Sequence, residues 1–309
     1  MHPGRSRTGS GAGSLVARRG GAVLRFVLVA YGLSWAGQIA IWVYGGLEGR
    51  LFHWLAPLLM FTPALAALLA CRKEGTSFLE LLRLRGRAAP LIAAVLVPLA
   101  TALVTAFAIA GWLGGGPTPW ARVAGGFAVP ASGPFLWSGV LSLPSLLADV
   151  VVTAVWLAIV GGILAVGEEV GWRGYLQPRL CSRFGIYPGL LAVGLLWAFW
   201  HLPLLLLGYV FPAAPVTGAL LLFPSIGIAV SYFFGWLREA SGGIWAPVLG
   251  HGSYNAFFST LVFSMSFGRS TWGAYLIIVA LTLATGVLSV PLLRRYSNKA
   301  RVPSAAPTS

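Results

Sequence analysis

Eight apolar stretches divide this chain, at roughly residues 22–45, 52–71, 89–112, 148–167, 187–208, 215–237, 243–264 and 272–293. About 20 consecutive apolar residues carry a helix across a bilayer, so each stretch reads as one crossing. Hydrophobic residues make up 58% of the chain and charged residues 9%, against roughly 25% charged in a soluble domain. Pro63, Pro90, Pro98, Pro203 and Pro247 interrupt several stretches, which membrane helices tolerate because neighbouring groups re-satisfy the freed backbone. The expected fold is all-α: a polytopic membrane helical bundle of about eight transmembrane helices.

The basic residues test this count. With the N-terminus on the inner side, the inside segments hold Arg5, Arg7, Arg18, Arg19, Arg72, Lys73, Arg83, Arg85, Arg87, Arg173, Arg179, Arg183, Arg238, Arg294, Arg295, Lys299 and Arg301. The outside loops hold Arg50, Arg122 and Arg269, and Arg25 sits at the edge of the first stretch. Positive residues mark cytoplasmic loops, and a missed or invented span would scramble this sorting. The formal charge of +14 is therefore a topology signal, and no nucleic-acid partner is expected. The expected location is the cell membrane, multi-pass, with both termini cytoplasmic and the lipid bilayer as a partner. Arginine far outnumbers lysine and Ala, Gly and Trp abound, which resembles a GC-rich bacterial genome. Cys71 and Cys181 both fall on the reducing side, so no structural disulfide is expected.

Four divisions follow. Residues 1–20 read as a disordered basic cytoplasmic tail, and the segment after them is too long for a signal-peptide core. Residues 21–147 hold the N-terminal transmembrane helices, with an amphipathic helix expected over 72–88. They also hold an outer loop over 113–147, with a short interfacial helix near 135–147. Residues 148–262 form the segment that carries the chemistry. Residues 263–309 hold the last transmembrane helix and a second basic tail.

Chemistry concentrates at VGEEVGWRGYL, residues 166–176. Glu168 and Glu169 are two of only seven acidic residues in the chain and end an otherwise apolar run. An ionisable group at membrane depth points to a functional site and needs a partner. Glu169 and Arg173 are four apart on one helix face and can pair; Glu168, about 100° round the helix, has no such local partner. His201 and His251 lie inside apolar stretches. Asn255 shares a helix face with His251, and Trp197 with His201. Gathered in one cavity these groups would satisfy one another. Glu168 beside a histidine could activate a water as general base, and His251 and Asn255 could donate to an oxyanion.

At these residues the sequence resembles a known family. EEVGWRG is similar to the EExxxR motif of the CAAX-processing and bacteriocin-processing (Abi) intramembrane endopeptidases. Trp197–His201 stands where that family has FxxxH, and His251–Asn255 fits HxxxN. Trp197 departs from the usual Phe, keeping an aromatic wall and altering pocket shape. The resemblance implies hydrolysis of a peptide bond near the C-terminus of a membrane-associated or prenylated protein or peptide. It gives Glu168 the role of water-activating base assisted by His201, and gives His251 and Asn255 the oxyanion. Glu169 and Arg173 would orient the loop and the second carboxylate. The family's metalloprotease label would make Glu168, His201 and His251 zinc ligands with a fourth position open. The HExxH pattern is absent, and a reaction with no cofactor fits the same residues equally well.

Two other classes remain open on sequence grounds. A non-catalytic immunity or scaffolding protein could retain the fold, with Glu169–Arg173 as a plain helix-ending ion pair. A transporter could use the carboxylates for protons or cations, but its polar groups would line spans throughout the chain. Here they cluster in the second half.

Overall fold

In lipid every backbone polar group must be satisfied within the protein, which leaves helices as the economical solution for apolar runs. The computed structural model, which describes residues 10–82, 87–114, 121–129, 139–263 and 267–297, is built almost wholly of them. Helix α1 (Ser10–Val43) is followed by α2 (Arg50–Leu59), α3 (Thr62–Glu74) and α4 (Ala88–Leu113). After a small β-ribbon, α5 (Leu143–Glu169) continues through a π-helical turn, Val170–Leu176, into α6 (Gln177–Phe184). Then come α7 (Ile186–Trp200), α8 (Leu202–Leu206), the single turn α9 (Pro215–Thr217), α10 (Phe223–Ser241), α11 (Trp245–Phe257) and α12 (Thr271–Ser297).

The chain is thus an all-α membrane bundle, with six helical segments among the described residues long and apolar enough to cross a bilayer. These are Gly21–Val43, Arg50–Glu74, Ala88–Leu113, Val151–Phe184, Pro215–Ser241 and Thr271–Tyr296. Two of the eight expected crossings fall short, the ones that carry His201 and His251. The fifth stretch is a helix of 15 residues ending at Trp200. Pro203 lacks the N–H that a continuous helix would give to the Phe199 carbonyl, so α7 stops at Trp200 and α8 starts afresh after His201. The seventh is α11, 13 residues long, followed by the π turn Phe258–Val262.

Other expectations change locally. Helix α1 begins at Ser10, inside the stretch read as a tail, while residues 1–9 and 298–309 lie outside the described residues. The expected amphipathic helix over 72–88 is reduced to a 3-10 turn, Leu79–Leu82, with 83–86 outside the described residues. The outer loop forms a three-stranded antiparallel ribbon: β1 (Ala121–Val123), β2 (Gly126–Val129) and β3 (Gly139–Leu141). The interfacial helix expected near 135–147 is therefore a strand where it is described, until α5 begins at Leu143; residues 115–120 and 130–138 lie outside the described residues.

Close backbone approach sets the core. At Gly252 of α11 an added Cβ would lie 2.2 Å from the Gly162 nitrogen and 2.5 Å from the Ala158 carbonyl oxygen of α5. Those contacts seat α11 directly on the helix that carries Glu168 and Glu169. Overpacking that a side chain cannot relieve by rotating must move backbone, and typically costs about 1–3 kcal/mol or more. Gly252→Val should therefore lower the unfolding midpoint in detergent by several degrees. Gly111→Ala on α4, where nothing lies within 4 Å, should leave it unchanged or slightly raised.

Candidate functional site

A buried carboxylate shared by a guanidinium and an imidazole organises the site. Glu169 Oε1 accepts from Arg173 NH1 at 3.1 Å and from His251 Nδ1 at 2.8 Å. The Arg173 contact is the four-residue spacing legible in the sequence; the His251 contact bridges 82 positions. All three side chains are at most 2% exposed. Phe234 of α10 closes the cluster, stacked on His251 with centroids 5.5 Å apart and lying 5.0 Å under the Arg173 guanidinium. Glu169 Oε2 and Arg173 Nε and NH2 are buried without a hydrogen-bond partner.

The π turn explains how Arg173 reaches this position. A widened turn frees backbone groups that an α-helix would pair, and such turns recur at functional sites. Here Arg238 Nε of α10 donates to the Arg173 carbonyl at 2.6 Å, while Arg238 also pairs with Glu239 at 2.9 Å. Gln177 Nε2 donates to the same Glu239 carboxylate at 3.1 Å. On the other side Arg179 pairs with Glu74 of α3, and the Tyr175 hydroxyl donates to Glu74 at 2.8 Å. The turn is thus pinned from both flanks. Cys71 on α3 and Cys181 on α6 are both free and buried.

Glu168 faces elsewhere, as its position round the helix demands, and finds a partner that side-chain class alone did not suggest. The indole Nε1 of Trp197 donates to Glu168 Oε2 at 2.6 Å. Trp197 reads in the sequence as an aromatic wall; in the fold it is also a hydrogen-bond donor, which Phe at that place would not be. Glu168 Oε1 accepts no hydrogen bond among the described residues. Trp197 stands between the two histidines, edge-on to His201 at 4.9 Å and to His251 at 5.9 Å, and stacks on Phe223 at 5.3 Å.

His201 Nδ1 lies 2.9 Å from the Trp197 carbonyl oxygen. A carbonyl can only accept, so Nδ1 carries the proton and neutral Nε2 presents a lone pair. His251 is held likewise, Nδ1 donating to Glu169. Among the described residues neither Nε2 is engaged. Five of the six expected site residues, Glu168, Glu169, Arg173, His201 and His251, therefore meet around Trp197. Asn255 does not join them: one turn beyond His251, it is exposed.

Glu168, His201 and His251 do not assemble as a zinc set. Among the described residues no three His, Cys, Asp or Glu side chains form a group that could hold a metal ion.

Fold and site together define a polytopic helical membrane protein with a buried acid–imidazole centre. Residues 148–257, about a third of the chain, match the family described as Type II CAAX prenyl endopeptidase Rce1-like, and all six expected site residues lie inside the matched segment. A stretch of 43 residues is 40% identical to CAAX prenyl protease 2 of Methanococcus maripaludis, spanning 14% of this chain and 16% of that relative.

Removing one partner of a buried ion pair strands the other charge, at about 3–5 kcal/mol. Glu169→Ala should destabilise the protein by about that amount, and Glu169→Ala with Arg173→Met should recover much of it. Equilibrium unfolding of the single and double variants measures the difference.

Proposed function

We propose that this protein is an intramembrane endopeptidase of the CAAX-processing type, cutting a peptide bond near the C-terminus of a membrane-associated or prenylated substrate. The observation that carries the reading is the meeting of Glu168, His201 and His251 around Trp197, inside helices that are otherwise apolar.

In this reading Glu168 is the general base. Trp197 fixes one carboxylate oxygen and leaves Oε1 to take the proton of a water, whose oxygen attacks the scissile carbonyl carbon. His201 Nε2, its lone pair set by the Nδ1 hydrogen bond, accepts a hydrogen bond from that water and orients it. His251 stabilises the oxyanion from Nε2 in its protonated form, which the adjacent Glu169 carboxylate favours. Collapse of the tetrahedral intermediate breaks the C–N bond, and Glu168 returns the proton to the leaving amine. Asn255, exposed one turn from His251, meets the substrate carbonyl when a chain enters from that side. No step is routed through zinc, because the three candidate ligands do not form a metal-holding group. The setting is the cell membrane, with both termini and the basic segments cytoplasmic.

Glu168→Gln keeps the shape and removes the base. Cleavage of a membrane-anchored peptide library by purified protein should fall at least about 10²-fold, the usual worth of positioned acid–base catalysis. Wild-type cleavage should persist in a strong chelator. A folded wild-type protein that cleaves nothing would move the reading to a non-catalytic immunity or scaffolding protein; loss of activity in chelator alone would restore the metal.

A further inference from the structure

His201 sits at a break between two helices, and the break is completed by a residue from far outside the matched family segment. In a continuous helix the Leu204 N–H would donate to the Trp200 carbonyl, four residues back. Here it donates instead to Gln38 Oε1 of α1 at 3.3 Å, while Gln38 Nε2 donates to the Trp200 carbonyl at 3.0 Å. The side-chain amide thus stands inside the broken hydrogen bond and restores both of its ends. Ser34 Oγ receives the second Nε2 proton at 2.7 Å, so the amide is saturated at the acceptor and both donors it offers. Gln38 is 1% exposed and Ser34 fully buried.

The neighbours on α1 make the same kind of contact. Trp35 Nε1 donates to the Trp200 carbonyl at 3.1 Å and the Tyr31 hydroxyl to the Leu196 carbonyl at 2.5 Å. In return Trp200 Nε1 donates to the Ala30 carbonyl at 3.3 Å. Tyr31, Ser34, Trp35 and Gln38 recur at helical spacing, one face of α1 aimed at the backbone around His201. Side chains inserted into the backbone ladder are a recognised origin of helix kinks. A buried amide with nothing to bond would be costly, so its saturation fixes one geometry of the break.

We infer that Gln38 is a positioning residue for His201: by bridging Trp200 and Leu204 it sets the bend that holds His201 edge-on to Trp197, the residue whose indole holds Glu168. The N-terminal helix is then part of the active centre's architecture. This inference rests on the proposed role of His201, and its test is arranged to separate the two.

Three variants decide it. Gln38→Leu fills the same space and removes both bonds. Gln38→Glu is a shape match whose protonated carboxyl can still donate to the Trp200 carbonyl and accept from Leu204. His201→Gln reports on the role of the histidine itself. For Gln38→Leu we expect kcat to fall roughly 10–100-fold with KM within about twofold, since small misplacements of a catalytic group act on that scale. Gln38→Glu should approach the wild-type rate at low pH and lose it as pH rises and the carboxyl ionises, a profile that packing alone would not produce. Imidazole ¹⁵N spectra supply a readout that does not need activity. His201 should show the Nδ1–H tautomer in the wild type and a tautomer mixture in Gln38→Leu. Unchanged spectra and an unchanged kcat in Gln38→Leu would overturn the inference. Full activity in His201→Gln would overturn the assigned role of the histidine instead, with the spectra still deciding whether Gln38 positions it.

Discussion

A single carboxylate oxygen, Glu169 Oε1, receives both Arg173 and His251, and much of the second half of the chain is arranged to make that meeting possible. Burying a carboxylate and a guanidinium away from water costs several kcal/mol per ion and is offset only by good geometry. The geometry comes from three sources. The π turn brings Arg173 round to its partner, the glycine contact at Gly252 seats α11 on α5, and Phe234 covers both guanidinium and imidazole with one ring. A salt bridge of this kind is weak evidence of stability. It is better understood as the group that fixes the direction of His251.

The two glutamates consequently divide their labour by helical phase. Glu169 looks toward α11, where its Oε1 receives Arg173 and His251; Glu168, next in sequence, looks toward α7 and meets an indole N–H. Neither orientation requires a special backbone at the carboxylates themselves. Adjacent residues on a helix point about 100° apart, and that rotation separates an acid held by a guanidinium and an imidazole from one held by an indole.

What the sequence discloses is what repeats locally. The apolar runs announce helices, and the spacing of Glu169 to Arg173 announces their pair, because both signals live within a turn or a bilayer's thickness. The β-ribbon after α4 is invisible to that logic: its strands are three or four residues long, in a stretch of Gly, Pro and Trp without alternation. The short helices at His201 and His251 escape it too, since counting apolar residues does not see where Pro203 ends a helix. Trp197 looks like packing until a carboxylate 29 positions away is found against its nitrogen. Asn255 shows the reverse case: it shares a helix face with His251, yet it is exposed where His251 is buried.

The π turn has a consequence for how this segment can change. It holds one register between α5, which looks into the bundle, and α6, whose Gln177 and Arg179 grip Glu239 and Glu74. Within the turn the Gln177 N–H donates to the Trp172 carbonyl and residue 178 is a proline without an N–H, so the Arg173 carbonyl is left to Arg238 Nε of α10. A substitution within Val170–Leu176 can remove a side-chain grip, but that tie runs to the main chain and survives the exchange of any side chain in the turn.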